Sequence, residues 1–214
     1  MKNILIVGAG RFGVYTAEKL RSLGHQIMAV DRDEERIRNI LPYVTDAQIG
    51  DCASQEFIES LGVPDYDLCI VAIGDDFLNS LEITSMLSEH GAHFVVARAS
   101  TASQEKFLLR NGANAVVFPE RQLASWTAIR YSSSNISNYI ELMEGYSIVE
   151  ILVPRAWDGK NVGEINVRQK YGINILGVRN GSMNMDISTG TTLHYGQNML
   201  ILGKLENIQK LFNL

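Results

Sequence analysis

One stretch restricts the fold of this chain more than any other. A strand-like run, residues 2–7, leads straight into Gly8-Ala9-Gly10-Arg11-Phe12-Gly13, and an amphipathic segment opens behind it. Glycines at that spacing, between a strand and a helix, make a phosphate-binding turn. Gly8 permits the tight turn and Gly10 lets a pyrophosphate touch the backbone. Gly13 lets the helix pack closely on the strand, so that the helix N-terminal amides point at the anion. Asp31 closes a second apolar run, residues 26–30. It stands roughly 20 residues beyond the turn, where a carboxylate accepts ribose hydroxyls. A glycine turn that binds nothing would need strand, helix and acid to coincide by chance.

Apolar runs and helical patterns then alternate, the mark of a parallel sheet covered on both faces. Strands are predicted over 2–7, 26–30, 44–49, 67–73, 93–97 and 114–118. The first helix turns Phe12, Ala17 and Leu20 inward and ends near Gly24; the second covers 33–41 and is stopped by Pro42. The third starts at Ser54, a candidate N-cap, and ends at Gly62; the fourth spans 76–90 and the fifth 103–111, each followed by glycine. Residues 1–119 thus read as a complete doubly wound, Rossmann-like α/β domain. Residues 120–144 read as a helical crossover: a helix over 120–131, the polar run Ser132-Ser133-Ser134-Asn135, and a short helix over 136–143 before Gly145. Leu123, Trp126, Ile129, Ile136, Tyr139, Ile140 and Leu142 in this segment need a partner surface, which could belong to another subunit. Residues 145–214 carry short strands over 147–153, 173–178, 183–187 and 198–202, with helices over 162–171 and 205–212. This second domain is small and mixed α/β, and dimerisation would complete its core.

The chain has 214 residues, 46% of them hydrophobic, enough for one domain of common size and a small one. A net charge of -5 and a pI near 5.4 argue against a general nucleic-acid binder. No apolar run reaches the roughly 18 residues that span a bilayer, and no signal peptide precedes the first strand, so a cytoplasmic protein is expected. Cys52 and Cys69 form no CxxC and read as free thiols, Cys69 within the core. The four histidines have no ligand-like spacing; His25 and His90 stand at helix ends, where they complement the dipole. Met183 and Met185 alternate at strand spacing and read as packing residues.

The turn and the acid would serve NAD(H), ATP or ADP alike. Arg11 adds a guanidinium inside the turn that can reach phosphate, or else a solvated helix-start arginine that the helix dipole disfavours without an anion. Asp51 and Gly74 follow the third and fourth strands at the rim of the cleft, Asp51 near an adenine edge. Arg98, ending the fifth strand, faces the phosphates or pairs with a surface acid. Asp33 supports the ribose or, as the simpler use, caps the second helix. Glu120 follows the sixth strand and either serves the ligand or caps a helix after Pro119. Phe12, Arg32 and Cys52 adjoin these positions and join the candidate set.

Several stretches resemble a known family. Lys2-Asn3-Ile4-Leu5-Ile6-Val7 with the glycine turn, Val30-Asp31-Arg32-Asp33-Glu34-Glu35, Val71-Ala72-Ile73-Gly74 and Phe118-Pro119-Glu120 resemble the regulator-of-potassium-conductance domain of KtrA and TrkA proteins. Tyr146-Ser147-Ile148-Val149-Glu150 and Asn166-Val167-Arg168-Gln169-Lys170-Tyr171-Gly172-Ile173-Asn174-Ile175 resemble that family's C-terminal domain and favour the KtrA branch. The resemblance implies a non-catalytic cytoplasmic subunit at the inner face of the membrane. It implies homodimers assembled into an octameric ring on a membrane potassium transporter or channel, with ATP/ADP, or alternatively NAD/NADH, altering the ring's shape. It implies that Arg11 contacts a terminal phosphate held by the neighbouring subunit and that Glu120 helps hold a divalent cation such as Mg2+. Arg168 and Asn174 match positions that bind cyclic di-AMP in some relatives. An NAD(P)-dependent oxidoreductase is the competing class. It needs a proton donor in the second domain, where His194, Tyr171 and Tyr195 offer little of that kind.

Overall fold

Residues 3–7 put Ile4 and Ile6 on one side of a strand and Leu5 and Val7 on the other, and all four are buried. A strand apolar on both faces must lie inside a sheet covered on both sides. The computed structural model, which describes residues 1–132 and 135–212, realises this in the first of two units, Met1–Glu120 and Arg121–Leu214. Its elements are β1 (Asn3–Val7), α1 (Arg11–Ser22), β2 (Gln26–Asp31), α2 (Glu34–Ile40), β3 (Asp46–Ile49), α3 (Gln55–Ser60), β4 (Leu68–Val71), α4 (Phe77–Glu89), β5 (Val95–Arg98), α5 (Ala102–Arg110) and β6 (Ala115–Val117). The strands are all parallel, in the order β3-β2-β1-β4-β5-β6. Strand order reverses direction between β1 and β4, which opens a crevice at their carboxyl ends. Leu5, Val7, Val71, Leu87 and Leu108 fill the core on one face, and Ile4, Ile6, Ile27, Ile37 and Ile40 fill the other. Each such side chain contributes about 1.5–3 kcal/mol by burial.

Local capping agrees with this arrangement. Asp33 accepts hydrogen bonds from the amides of Glu35 and Arg36, Asp76 from that of Asn79 and Thr101 from that of Gln104. Ser54 occupies the N-cap position of α3, but its side chain makes no capping bond.

α6 (Pro119–Ser132) leads into the second unit. That unit holds β7 (Ile136–Glu141), β8 (Tyr146–Leu152), α7 (Val162–Ile165), α8 (Val167–Tyr171), β9 (Asn174–Asn180), β10 (Ser182–Asn184), β11 (Asn198–Lys204) and α9 (Leu205–Phe212). Its five strands pair antiparallel in the order β10-β9-β11-β8-β7. Two expectations are corrected here. Residues 136–143 do not form a helix: Ile136–Glu141 is strand β7. A bulge between Ile136 and Asn138 places Ile136 opposite Ile151 and Tyr139 opposite Val149. The extra residue lets two apolar side chains three positions apart face one core, which imitates helical spacing. The helix expected over 162–171 is two short helices broken at Asn166, whose φ of 53° is left-handed.

The apolar residues of the crossover find different fates. Trp126, Ile129, Ile136 and Tyr139 pack into the second unit's own core, while Leu123, Ile140 and Leu142 are exposed. The strand expected over 183–187 is shorter, and the sulfurs of Met183 and Met185 close over Gly177. Ser133 and Ser134 of the polar interruption lie outside the described residues. Among the described residues no helix is long and apolar enough to cross a membrane.

Candidate functional site

Gly8 has φ +101°, a conformation that glycine adopts without penalty, and a Cβ there would lie 3.1 Å from Ile73 and 3.3 Å from the backbone of Ala72. A Cβ on Gly13 would lie 2.1 Å from the carbonyl oxygen of Gly8. These two glycines therefore serve packing. Gly10 differs, because a Cβ there would meet nothing within 4 Å. The space over the middle of the turn is open, as an approaching anion requires.

Donors without acceptors belong to the same turn. Val14 is the first residue of α1 whose amide reaches back along the helix, to Gly10. Gly10 caps α1 without a side-chain bond, no acid lies in the first turn, and the amides of Gly10, Arg11, Phe12 and Gly13 meet no acceptor among the described residues. Such amides and the positive end of the helix dipole favour an anion. Arg11 is exposed at this same end and has neither a hydrogen-bond nor an ion-pair partner among the described residues.

Asp31 is buried at the end of β2. One carboxylate oxygen accepts the Ala9 amide at 2.8 Å, the other accepts the Asp33 amide at 3.0 Å, and Arg36 lies 3.8 Å away. The carboxylate thus fastens the glycine turn to the neighbouring strand. Each oxygen keeps a further lone pair for a hydroxyl. The amide of Gly50 donates to the Asp31 carbonyl, which brings the end of β3 alongside, and Asp51 follows there, exposed, accepting from the Ala53 amide at 3.0 Å.

A second group gathers at the ends of β4, β5 and β6. The Arg98 guanidinium lies 5.6 Å from the centre of the Phe12 ring and donates from Nη2 to Glu120 Oε1. It also fills the space over Gly74, where a Cβ would come within 2.5 Å of Nη1. Phe12, Gly74, Arg98 and Glu120, scattered in sequence, therefore meet at one spot. Glu120 is held below the usual carboxylate range first by its own backbone amide and then by the hydrogen bond and charge of Arg98.

The remaining candidates differ in burial. The side chain of Cys52 is buried in the core, and burial, reinforced by the charges of Asp51 and Asp31, pushes its thiol up to about 12; burial pushes Cys69 up to about 12 as well. Neither is a thiolate at neutral pH. Arg32 is exposed beyond β2. Arg168 is exposed on α8, and Asn174 is half-buried at the start of β9. Among the described residues no cluster of three or more His, Cys, Asp or Glu side chains could hold a metal ion. Sequence reasoning missed Gly50, whose Cβ would strike the Phe57 ring at 2.1 Å. A glycine directly after a strand and before Asp51 was the available signal.

Known families and proteins match the chain over both units. Residues 4–119 match the TrkA-N domain and residues 147–214 the TrkA-C domain. The Ktr system potassium uptake protein C of Bacillus subtilis (strain 168) is 31% identical over 210 residues, covering 98% of this chain and 95% of that protein. The Ktr system potassium uptake protein A of the same organism is 31% identical over 213 residues, covering 99% and 96%. That of Vibrio alginolyticus is 26% identical over 208 residues, covering 97% and 94%. Among solved structures, the GsuK RCK domain superposes with a TM-score of 0.67 at 19% identity, covering 100% of this chain and 47% of that one. The GsuK channel bound to NAD gives 0.69 at 21% identity, covering 100% and 39%. At these identities the likeness is one of fold, and this chain spans less than half the length of either.

Proposed function

The chain belongs to the family of potassium uptake proteins that join a TrkA-N to a TrkA-C domain, and from that membership we propose that it is the nucleotide-binding regulatory subunit of a potassium transport system. The observation that carries the reading is the head of α1, where, among the described residues, four amides lack acceptors, Arg11 lacks a counter-charge and the space over Gly10 is open. An anion supplies what all three lack.

The ligand that suits the site is an adenine nucleotide, ATP or ADP. Its phosphates meet the Gly8–Gly13 turn, its ribose hydroxyls meet Asp31, and Asp51 lies toward the base. The terminal phosphate is the target of Arg11, reaching from a neighbouring subunit. Mg2+, if bound, is held by Glu120 together with the nucleotide's own phosphates. The GsuK channel bound to NAD has this fold, which keeps NAD(H) as the second reading. In this proposal the chain performs no catalysis. It sits in the cytoplasm at the inner face of the membrane, as a homodimer built into an octameric ring on a membrane potassium transporter or channel. Cyclic di-AMP would meet the second unit at Arg168 and Asn174.

Calorimetry of ATP, ADP and NADH with magnesium tests the reading. Arg11→Ala is expected to keep ADP binding and lose most of the preference for ATP, on the usual allosteric scale of roughly 5- to 150-fold. Equal binding of ATP and ADP, or far tighter binding of NADH, would move the conclusion to the second reading. Binding of none would refute both.

A further inference from the structure

Arg98 is bound as if holding a place. Its guanidinium occupies the space over Gly74, lies against the Phe12 ring and uses Nη2 on Glu120, while its buried Nε has no acceptor among the described residues. Its partner is weakly committed: the Glu120 side chain is 53% exposed. The Arg98 side chain is 20% exposed, and water at the carboxylate end still screens the pair. A phosphate offers more, because a guanidinium binds it through two parallel charge-assisted hydrogen bonds. The position is suited to such an exchange, since the ring beneath the guanidinium belongs to Phe12, whose own amide is one of the acceptor-free donors at the head of α1.

We infer that Arg98 is an exchangeable cation shared between Glu120 and the nucleotide. Without ligand, Glu120 holds the guanidinium and closes the floor of the site over Gly74. When a phosphate arrives, Arg98 leaves Glu120 for it, and the carboxylate at the first turn of α6 is released. Binding therefore works against the Arg98–Glu120 pair, and the residue that recognises the anion is the one that reports it to α6. This rests on the nucleotide reading given above.

The test is a double-mutant cycle on the full chain, with ADP titrated calorimetrically in the presence of EDTA, so that no cation on Glu120 intervenes. Thermal melting confirms that each variant is folded. Glu120→Gln is expected to tighten ADP about two- to fivefold, the scale of an exposed ion pair. Arg98→Gln is expected to weaken it, and adding Glu120→Gln to Arg98→Gln is expected to change nothing further. A gain from Glu120→Gln that persists in the Arg98→Gln background would mean only that removing a negative charge favours an anion, and the exchange would be wrong. Unchanged or weakened binding by Glu120→Gln alone would overturn it too, while leaving the nucleotide reading intact. If the native chain binds neither ADP, ATP nor NADH, that reading falls and takes the exchange with it.

Discussion

The two units of this protein solve the same burial problem in opposite ways. The first encloses a parallel sheet between two layers of helices, so β1 is apolar on both faces and Gly8 and Gly13 of its turn are closely packed while Gly10 is open. The second has an antiparallel sheet with one face in the core: Val149 and Ile151 are fully buried on β8, whereas Ile148 and Leu152, which flank them, are only half covered. A sheet sheltered on both sides leaves long apolar runs and regular connections. A sheet sheltered on one side tolerates bulges, breaks and short strands, and its pattern in sequence is correspondingly weaker.

The largest effect that would sharpen the contrast comes from the cores. Truncating Leu5 or Ile151 to alanine is expected to cost about 2–5 kcal/mol in urea unfolding, since both are fully buried. Only Leu5→Ala should also erode nucleotide binding. An Ile151→Ala protein that remains folded but no longer binds nucleotide would break the division of labour between the units.

Within the first unit the glycines separate packing from binding. Gly13→Ala drives a Cβ into the Gly8 carbonyl and is expected to cost about 1–3 kcal/mol or more, the scale of overpacking, together with affinity. Gly10→Ala meets nothing within 4 Å and should leave stability within about 0.5 kcal/mol while weakening nucleotide. Equal melting temperatures for the two variants would contradict this assignment. Asp31→Ala is expected to remove about 1–3 kcal/mol by leaving the Ala9 and Asp33 amides without their acceptor. A loss of affinity with no loss of stability would make Asp31 a ligand residue alone.

The smallest effect is a pH dependence. His90, at the end of α4, bonds through Nδ1 to the Met86 carbonyl at 2.7 Å, with Nε2 3.5 Å from Glu59. The carbonyl, and then Glu59, raise its pKa above the ordinary 6.5. A raised folded-state value means that the charged form stabilises the fold below pH 6.5 and that this contribution is lost as pH rises through the folded value. His90→Gln should therefore destabilise more at pH 6 than at pH 8 in denaturant titrations. The opposite order would show that burial, not the hydrogen bond, dominates.

The parallel unit was readable because its signals are local: apolar runs, glycines after helices, and the Asp33 cap each state their role within a few residues. Ser54 had the residue type of a cap without the bond. The segment at 136–141 defeated the same reasoning because a bulge gave a strand the three-residue spacing of a helix, and a bulge is fixed by the partner strand. The break at Asn166 was likewise missed: asparagine is among the few residues that enter the left-handed conformation readily, but its presence does not say where a helix will break.

The candidate site divides along the same line. Sequence by itself determined the turn, its orientation at the head of a helix, and the acid at position 31, because residue type and spacing suffice for backbone geometry. Only the tertiary structure decided that Asp31 ties down the turn, that the Cys52 side chain belongs to the core, and that Phe12, Gly74, Arg98 and Glu120 converge. Those four residues stand on α1, the end of β4, the end of β5 and the start of α6. Their meeting depends on the order in which the strands lie in the sheet, a long-range property that no stretch of sequence contains.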